Sequence, residues 1–291
     1  MKGKTRNVQA AGCAVFLLVF LAAALPGFGM DLSLKFSCGP GFFRFNEVNG
    51  ALDGWRELRE REAASIANWT FGGGNVKHLR AGFDIEGEIL LNLTSRWALS
   101  VGAGTTYSEI SEADTILAVT KGTVPYVYAR PTKATGIPFV LSAYHFLPLG
   151  KKFQIYARAG AGWLWAKYVD RDATKKTTDD RFTYSFYQSA SGRGVLYQAG
   201  LGFNYKHDQS LGFFGEASYR RANVDSMTGE TRQGVRGALT SYDEYNTSLD
   251  FWQSKIEVKE EAPSGDSFRS VRKTVVDFSG FVLRFGIFIK F

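Results

Sequence analysis

The feature that most constrains the fold is an alternation of apolar and polar residues with a period of two, sustained over long segments. Between residues 153 and 165 every odd position is apolar, whereas most even positions are polar or glycine. Such alternation predicts a β-strand with one apolar and one polar face. The same pattern recurs at 76–91, 97–107 and 195–205. We therefore predict an all-β protein.

The placement of the aromatic residues indicates which way the apolar faces point. Trp97 and Tyr107 lie at the two ends of one apolar stripe, and Phe153 and Trp165 lie at the ends of another, with small aliphatic residues between them. Rings at both ends of a strand are typical of the aromatic girdles of a barrel in a bilayer. The core of a soluble sheet has no reason to repeat that arrangement. We predict apolar faces turned outward to lipid and polar faces turned inward.

Four further segments complete a set of eight strands: 32–45, 137–147, 211–219 and 274–291. Both faces of 137–147 are apolar, so its inward face is left unassigned. The connections alternate in length, because 92–96, 148–152 and 206–210 are short, whereas 46–75, 111–136, 168–192 and 221–273 are long. Short turns at one end and long loops at the other are typical of outer-membrane barrels. The predicted fold is a transmembrane, antiparallel, up-and-down β-barrel with long extracellular loops.

Two of the long loops carry signs of local structure. Residues 51–67 have a helical pattern, which predicts either an amphipathic helix that lies on the outer leaflet or against the barrel rim, or a plug formed by the loop. Residues 248–261 and 268–277 resemble strands on either side of a turn. A turn between them on the periplasmic side would leave the last strand running in the wrong direction. We interpret this pair as an extracellular hairpin that extends the last strand.

The N-terminus has the three parts of a secretory signal peptide. Basic residues at Lys2, Lys4 and Arg6 precede an apolar run over 10–25, and small residues follow, which predicts cleavage after Gly29. Residues 1–29 are thus predicted to be removed, leaving a barrel domain over 30–291.

Cleavage changes both the cysteine count and the charge of the chain. Cys13 leaves with the peptide, so Cys38 remains without a partner for an internal disulfide. The peptide carries three basic and no acidic residues, which leaves 32 basic beside 28 acidic residues. This mild excess gives no indication of nucleic-acid binding.

The last predicted strand carries an apolar residue at every second position and ends on an aromatic residue. Its stripe consists of Phe281, Leu283, Phe285, Ile287, Ile289 and Phe291. With the segment 144–162, this strand resembles the small eight-stranded outer-membrane barrels of the OmpA, OmpX and OmpW type. The resemblance implies that Phe285, Ile287, Ile289 and Phe291 form a C-terminal signal for the barrel-assembly machinery. It implies residence in the outer membrane, in contact with membrane lipid and lipopolysaccharide.

The polar faces contain charges that the predicted topology places inside the barrel. They are Lys35, Asp84, Glu86, Glu88, Arg158, Glu216, Arg284 and Lys290. Side chains fill the interior of an eight-stranded barrel, so these charges should pair with one another. We expect a structural plug of ion pairs. The alternative is a narrow path for ions or small solutes lined by the same groups.

Enzymatic chemistry has one weak candidate. His78 and Ser108 are predicted near the external rim on adjacent strands, and Glu109 and Glu112 follow closely in sequence. Lipid-modifying barrels use such residues, but histidine and serine are also ordinary rim residues. The sequence has no motif for a metal, a nucleotide or a catalytic cysteine, so we expect no cofactor and no enzymatic activity. The predicted role is structural or in surface interaction through the loops, with a small-solute or hydrophobic-compound channel of the OmpW type as the alternative.

Overall fold

A computed structural model describes residues 31–291, so the predicted signal peptide lies outside the described residues. Within them the chain forms sixteen strands and one α-helix. In chain order these are β1 (Asp31–Phe43), α1 (Asn46–Ser65), β2 (Trp69–Val76), β3 (Ala81–Asn92), β4 (Trp97–Ile110), β5 (Thr115–Lys121), β6 (Val124–Ala129), β7 (Thr132–Pro148), β8 (Phe153–Lys176), β9 (Thr183–Lys206), β10 (Leu211–Val224), β11 (Thr228–Thr231), β12 (Arg236–Asn246), β13 (Phe251–Lys259), β14 (Phe268–Lys273), β15 (Val276–Asp277) and β16 (Gly280–Lys290).

Eight of the strands close into a barrel. The antiparallel order is β1–β3–β4–β7–β8–β9–β10–β16, and β16 pairs back onto β1. Leu34 of β1 lies opposite Ile289 of β16 on one side and opposite Ile89 of β3 on the other. Closure leaves no unpaired strand edge in the barrel wall. The predicted eight-stranded, up-and-down β-barrel is therefore confirmed.

The two faces of the wall differ as the alternation predicts. Leu201 on the outer face is 69% exposed and Trp163 is 50% exposed, whereas Leu196 and Leu164 on the inner face are fully buried. An apolar outer band of this kind is suited to lipid rather than to water. The structure also assigns the faces of β7, because pairing with β4 and β8 turns Leu141 outward and the even-numbered residues inward.

The connections at the two ends differ, and one prediction about them is wrong. The three short turns are confirmed at 93–96, 149–152 and 207–210, and Gly150 adopts a φ of 123° in one of them. At the other end, most of the predicted loops are regular structure. Strands β8 and β9 both run for 24 residues and are joined by 177–182 alone, so the loop predicted at 168–192 is largely strand. The alternating pattern that marks lipid-facing strands ends at the edge of the apolar band, but cross-strand pairing continues beyond that edge. The sequence pattern therefore underestimates the length of these two strands.

The segment 221–273 also differs from its prediction. Strands β13 and β14 do not pair with each other as a hairpin, because both pair with β12, which lies between them. Only the two-residue strand β15, paired with β10, leads directly into the last barrel strand. Strand β12 takes the central place, with Thr240, Ser241, Asp243 and Glu244 paired on both of its edges. The sequence reveals neither partner.

The third strand begins later than predicted. The alternation at 76–91 suggested one continuous strand, but β3 starts at Ala81 and Val76 belongs to β2. Leu79 was predicted to face outward, yet it is 1% exposed, and its backbone N–H donates to Asn49 Oδ1 at 2.7 Å. Packing against α1 therefore overrides the alternation at this point.

Helix α1 resolves the choice between a surface helix and a plug. Its buried face includes Leu52 and Trp55, which join one apolar cluster with the inward residues Leu164, Leu196 and Val282. Within residues 31–291, no helix combines the length and hydrophobicity needed to span a membrane. Through its contacts in the apolar cluster, α1 closes the mouth of the barrel at the end with the long connections. We call α1, β12 and β13 together the cap.

Candidate functional site

The inward faces of β1, β3, β8, β10 and β16 bring a balanced set of charges to the middle of the barrel. We call this set the interior cluster. It contains four acidic and four basic side chains, all 5% exposed or less: Lys35, Asp84, Glu86, Glu88, Arg158, Arg220, Glu216 and Arg284.

Arg158 is one centre of the interior cluster. Its Nη2 contacts Glu86, and its Nη1 lies 2.8 Å from Glu88 Oε1 and 3.2 Å from Glu216 Oε1. Its Nε donates to Ser142 Oγ at 3.1 Å. A single guanidinium therefore holds acids from β3 and β10, which lie on different sides of the barrel. The planar, five-donor group of arginine suits this multiple contact.

Arg284 is the second centre. Its Nε donates to Asp84 Oδ1 at 2.7 Å, its Nη2 lies 2.8 Å from Glu86 Oε2, and its Nη1 lies 3.0 Å from Glu216 Oε1. Arg220 reaches the other oxygen of Asp84, with Nη2 to Oδ2 at 3.0 Å. The acids are thus shared between arginines, which makes the cluster one network and not a set of isolated pairs.

Lys35 occupies an aromatic cage on the side of the short turns. Its Nζ lies 4.0 Å from the ring centre of Phe214, 4.4 Å from that of Tyr156 and 4.7 Å from that of Tyr144. It donates to Tyr156 Oη at 3.1 Å. The two tyrosine hydroxyls donate to carboxylates of the cluster at 2.6 and 3.0 Å. Cation–π contacts of this kind favour a desolvated ammonium group.

The structure brings together seven of the eight charges predicted from sequence. Lys290 is the exception, because its side chain is 44% exposed at the rim and its Nζ lies 2.6 Å from Asp31 Oδ2. Arg220 was missed. The sequence has the doublet Arg220–Arg221, and alternation alone could have assigned one of them inward. Extending the period of β10 by one residue beyond Tyr219 would have found it.

Glycine supplies the space that the acids occupy. A Cβ at Gly102 would lie 2.9 Å from Glu88 Cγ and 3.3 Å from Glu86 Oε1. One at Gly104 would lie 2.0 Å from a backbone oxygen of the neighbouring strand. The inward glycines of β4 are therefore required for the packing of the long side chains of β3.

A second buried polar group, which sequence reasoning missed, joins the wall to the cap. Arg130 binds Asp170 through Nε at 3.1 Å and Nη2 at 2.7 Å, and its Nη1 donates to the carbonyl of Ala51 in α1 at 3.2 Å. Gln188 donates to Asp170 at 3.2 Å and to the carbonyl of Ile256 in β13 at 2.8 Å. These side chains hold both the helix and β13 over the mouth. They lie in predicted loops, where no alternation was used to assign faces.

The layers inside the barrel fill it from end to end. Next to the short turns, Leu90, Tyr144, Phe146 and Tyr156 form an apolar and aromatic cluster. The interior cluster follows in the middle, and the apolar cluster shared with α1 lies above it. Because these layers surround the interior cluster, each of its charged residues is at most 5% exposed to solvent.

The candidate hydrolytic residues are not assembled into a catalytic pair. His78 Nε2 lies 2.8 Å from Asp53 Oδ1 of α1, so this histidine fastens the helix. Ser108 Oγ donates to the carbonyl of Ala81 at 2.6 Å. Each side chain therefore has a structural partner, and the two do not contact each other. Glu109 is bound to Lys133 at 2.6 Å.

The apolar stripe of β16 faces outward over its whole length. Phe285 is 62% exposed, Ile287 is 38% exposed and Phe291 is 69% exposed, and Ile289 lies on the same face. The backbone N–H of Phe291 donates to the carbonyl of Leu32 at 2.9 Å. This geometry leaves the stripe accessible to another protein, and its role as an assembly signal stays a prediction.

Comparison with known proteins gives one kind of match. No protein-family model matches the chain, and no curated protein matches it in sequence. Among solved structures, the chain is similar to the outer membrane protein OprG from Pseudomonas aeruginosa, with 13% identity and a TM-score of 0.38. The match covers 90% of this chain and 96% of that protein.

Proposed function

We propose that this protein resides in the outer membrane as a closed β-barrel and acts through the surface of its cap, in a structural role or in contact with other surface components. The filled interior carries the proposal. Four acids and four bases bind one another across the middle of the barrel, and α1 packs over them. Within residues 31–291, ion pairs that are this deeply buried support a structural role over a channel.

The cap presents a polar surface on its outer side. On α1, Arg56 Nε lies 2.7 Å from Glu60, and Arg61 lies 2.9 Å from Glu57, with all four side chains at least 37% exposed. Ion pairs at this spacing stabilise an exposed helix without making it apolar. A charged, ordered face of this kind supports contact with polar partners at the cell surface.

A labelling experiment tests the orientation. Cys38 is exposed on the outer wall, so the background is Cys38→Ser. In that background, Glu57→Cys should react with a membrane-impermeant maleimide on intact cells, whereas Asp208→Cys in a short turn should react only after lysis. The reverse pattern would contradict the proposed orientation.

Two further measurements test the role. Refolded protein in a planar bilayer should carry no steady current. Cells that lack the protein should become more sensitive to detergent, and the wild-type chain should restore resistance. A stable single-channel current, together with unchanged detergent sensitivity, would favour the channel alternative over the structural one.

A further inference from the structure

The barrel end with the short turns carries most of the net positive charge of the chain. Its basic side chains, which we call the basic rim, are all exposed: Arg96, Lys151, Lys152, Lys206 and Lys290. Its acidic side chains are Asp31 and Asp208. The interior cluster is balanced, with four acids and four bases, and the remaining side chains of residues 31–291 include 23 basic and 22 acidic ones. Three of the four net positive charges predicted for the mature chain therefore lie at this end.

Three cations of the basic rim are adjacent in sequence to an aromatic residue of the outer wall. The pairs are Arg96–Trp97, Lys152–Phe153 and Tyr205–Lys206. The three rings point outward, with exposed fractions of 51%, 38% and 40%. Successive side chains of a strand point to opposite sides, so these three cations point to the inner side of the rim.

Backbone pairing supports the inward direction. The carbonyl of Arg96 accepts a hydrogen bond from the N–H of Phe146 at 2.7 Å, and Phe146 is an inward residue that is 6% exposed. The carbonyl of Lys152 accepts one from the N–H of Lys206 at 2.8 Å. Lys206 also lies opposite the buried Gly212. The ladder thus continues to these positions, and the cations surround the floor of the barrel.

The two acids of this end leave most of the basic rim unneutralised. Asp31 binds Lys290, which lies opposite the buried Ser33. Asp208 Oδ1 accepts hydrogen bonds from two backbone N–H groups of its own turn, both at 2.8 Å. In the part of the chain that the structure describes, the other four basic side chains of the rim have no ion-pair partner. These four cations are free to contact an external anion.

The spread of the basic rim indicates the size of such an anion. The cations follow the wall from β4 through β7, β8, β9 and β10 to β16. Adjacent strands are about 4.8 Å apart, so these five steps cover about 24 Å. An extended peptide of about seven residues has this length, whereas a phosphate ion reaches only one or two of the cations. The aromatic cluster that includes Tyr144 and Tyr156 fills the space above the rim, so a ligand lies against the rim from outside.

We propose that the basic rim binds an acidic segment of a periplasmic protein, an extended run of aspartate and glutamate side chains laid across the floor of the barrel. Charge complementarity carries the proposal, since complementary charges guide and orient protein association. Phospholipid headgroups fit less well, because the lipid side of the rim holds the rings and the cations point away from it. A second copy of the chain would bring two basic rims together, and these repel each other. The proposal rests on the proposed function for its orientation, because this end faces the periplasm only if the cap faces outward.

The test measures binding of an octaglutamate peptide to refolded protein in neutral detergent. It compares the wild type with the triple variant Arg96→Gln, Lys152→Gln and Lys206→Gln. The matched control removes three exposed cations at the other end of the barrel: Lys176→Gln, Arg181→Gln and Lys273→Gln. We expect the triple variant to lose about tenfold in affinity, because it removes several ion pairs that are weak individually. The control should bind as the wild type does, and added salt should weaken wild-type binding.

Octaglutamine, inorganic phosphate, phosphatidylglycerol in mixed micelles and soluble peptidoglycan fragments serve as the other probes. Weaker binding of all four than of octaglutamate supports an acidic peptide as the ligand. Equal or tighter binding of any of them, an unchanged triple variant, or a control that loses as much affinity would each overturn the proposal. Heat-modifiable mobility reports folding, and Lys206→Gln alone replaces the triple variant if that one fails to fold. The maleimide experiment tests the orientation separately, so the proposed function can fail on that measurement while the binding result stands.

Discussion

Changing Glu86 to glutamine removes one of four buried carboxylates from an interior that also holds four buried basic side chains. Glutamine keeps the shape of the side chain but leaves a net positive charge in the middle of the barrel. Arg158 and Arg284 both contact Glu86, and neither can move to water, because each side chain is 1% exposed. The substitution therefore tests whether the interior cluster is a structural plug.

The magnitude follows from what the two arginines retain. Removing one partner of a buried ion pair costs about 3–5 kcal/mol. Arg158 keeps Glu88 and Glu216, and Arg284 keeps Asp84 and Glu216. The remaining acids compensate in part, so we expect a loss near the lower end, about 3 kcal/mol.

Reversible unfolding in urea, in detergent micelles or lipid vesicles, measures this loss. The matched control is Glu109→Gln, which removes a carboxylate from an exposed pair and should cost less than about 1 kcal/mol. The double variant Glu86→Gln, Arg284→Gln should show a coupling energy of about 0.5–3 kcal/mol between two residues in contact. Planar-bilayer recordings on the same proteins should show no steady current.

Two results would refute the reasoning. One is a Glu86→Gln protein as stable as the Glu109→Gln control. The other is a wild-type current whose ion preference changes with Glu86→Gln, because acidic groups that line a path set cation selectivity.

Three further predictions concern other parts of the chain. Ala159→Arg should cost about 2–4 kcal/mol of unfolding free energy if that outward residue meets the bilayer midplane, and an arginine variant as stable as the wild type in lipid would disprove its lipid contact. Gly160→Ala should act through the interior, where its methyl would lie 2.8 Å from a backbone oxygen of β7. Gln188→Leu removes three buried hydrogen bonds to the cap and the wall, so hydrogen exchange over 251–259 should accelerate while the barrel strands stay protected. Unchanged exchange would show that Gln188 does not hold β13 over the mouth. A hydrogen bond from Lys77, with further bonds from Ser111, lowers the pKa of Asp114 to about 2. The stability difference between the wild type and Asp114→Asn, measured by chemical unfolding at each pH, should therefore be present above pH 4 and disappear as the pH falls through about 2.

The sequence predictions succeeded where a pattern involves residues close together in the chain and failed where it involves residues far apart. Alternation is a local property, so β8 and β16 could be assigned with their faces before any partner was known. The inward acids of β3 followed for the same reason. The three short turns could be predicted because only a few residues separate the strands that they connect.

Features that depend on residues far apart in sequence could not be predicted in this way. Gln188 binds the carbonyl of a residue 68 positions away, and Arg130 binds one 79 positions away, so no local pattern shows that these polar side chains are buried. The choice between a helix on the membrane and a helix over the mouth depends on an apolar cluster drawn from both α1 and the barrel interior.

The sequence by itself determined the period of the barrel strands, their number and, except in β7, which face is apolar, because a pleated backbone turns successive side chains to opposite sides. Tertiary structure decided the strand register and the packing of the cap over the barrel mouth. These two features determine whether the interior charges are shielded from water. Strand pairing places Arg158 and Arg284 among shared acids, and the packing of Trp55 over the mouth excludes water from them. Burial and ion pairing are properties of the closed barrel, since they exist only when side chains from distant strands meet across its interior.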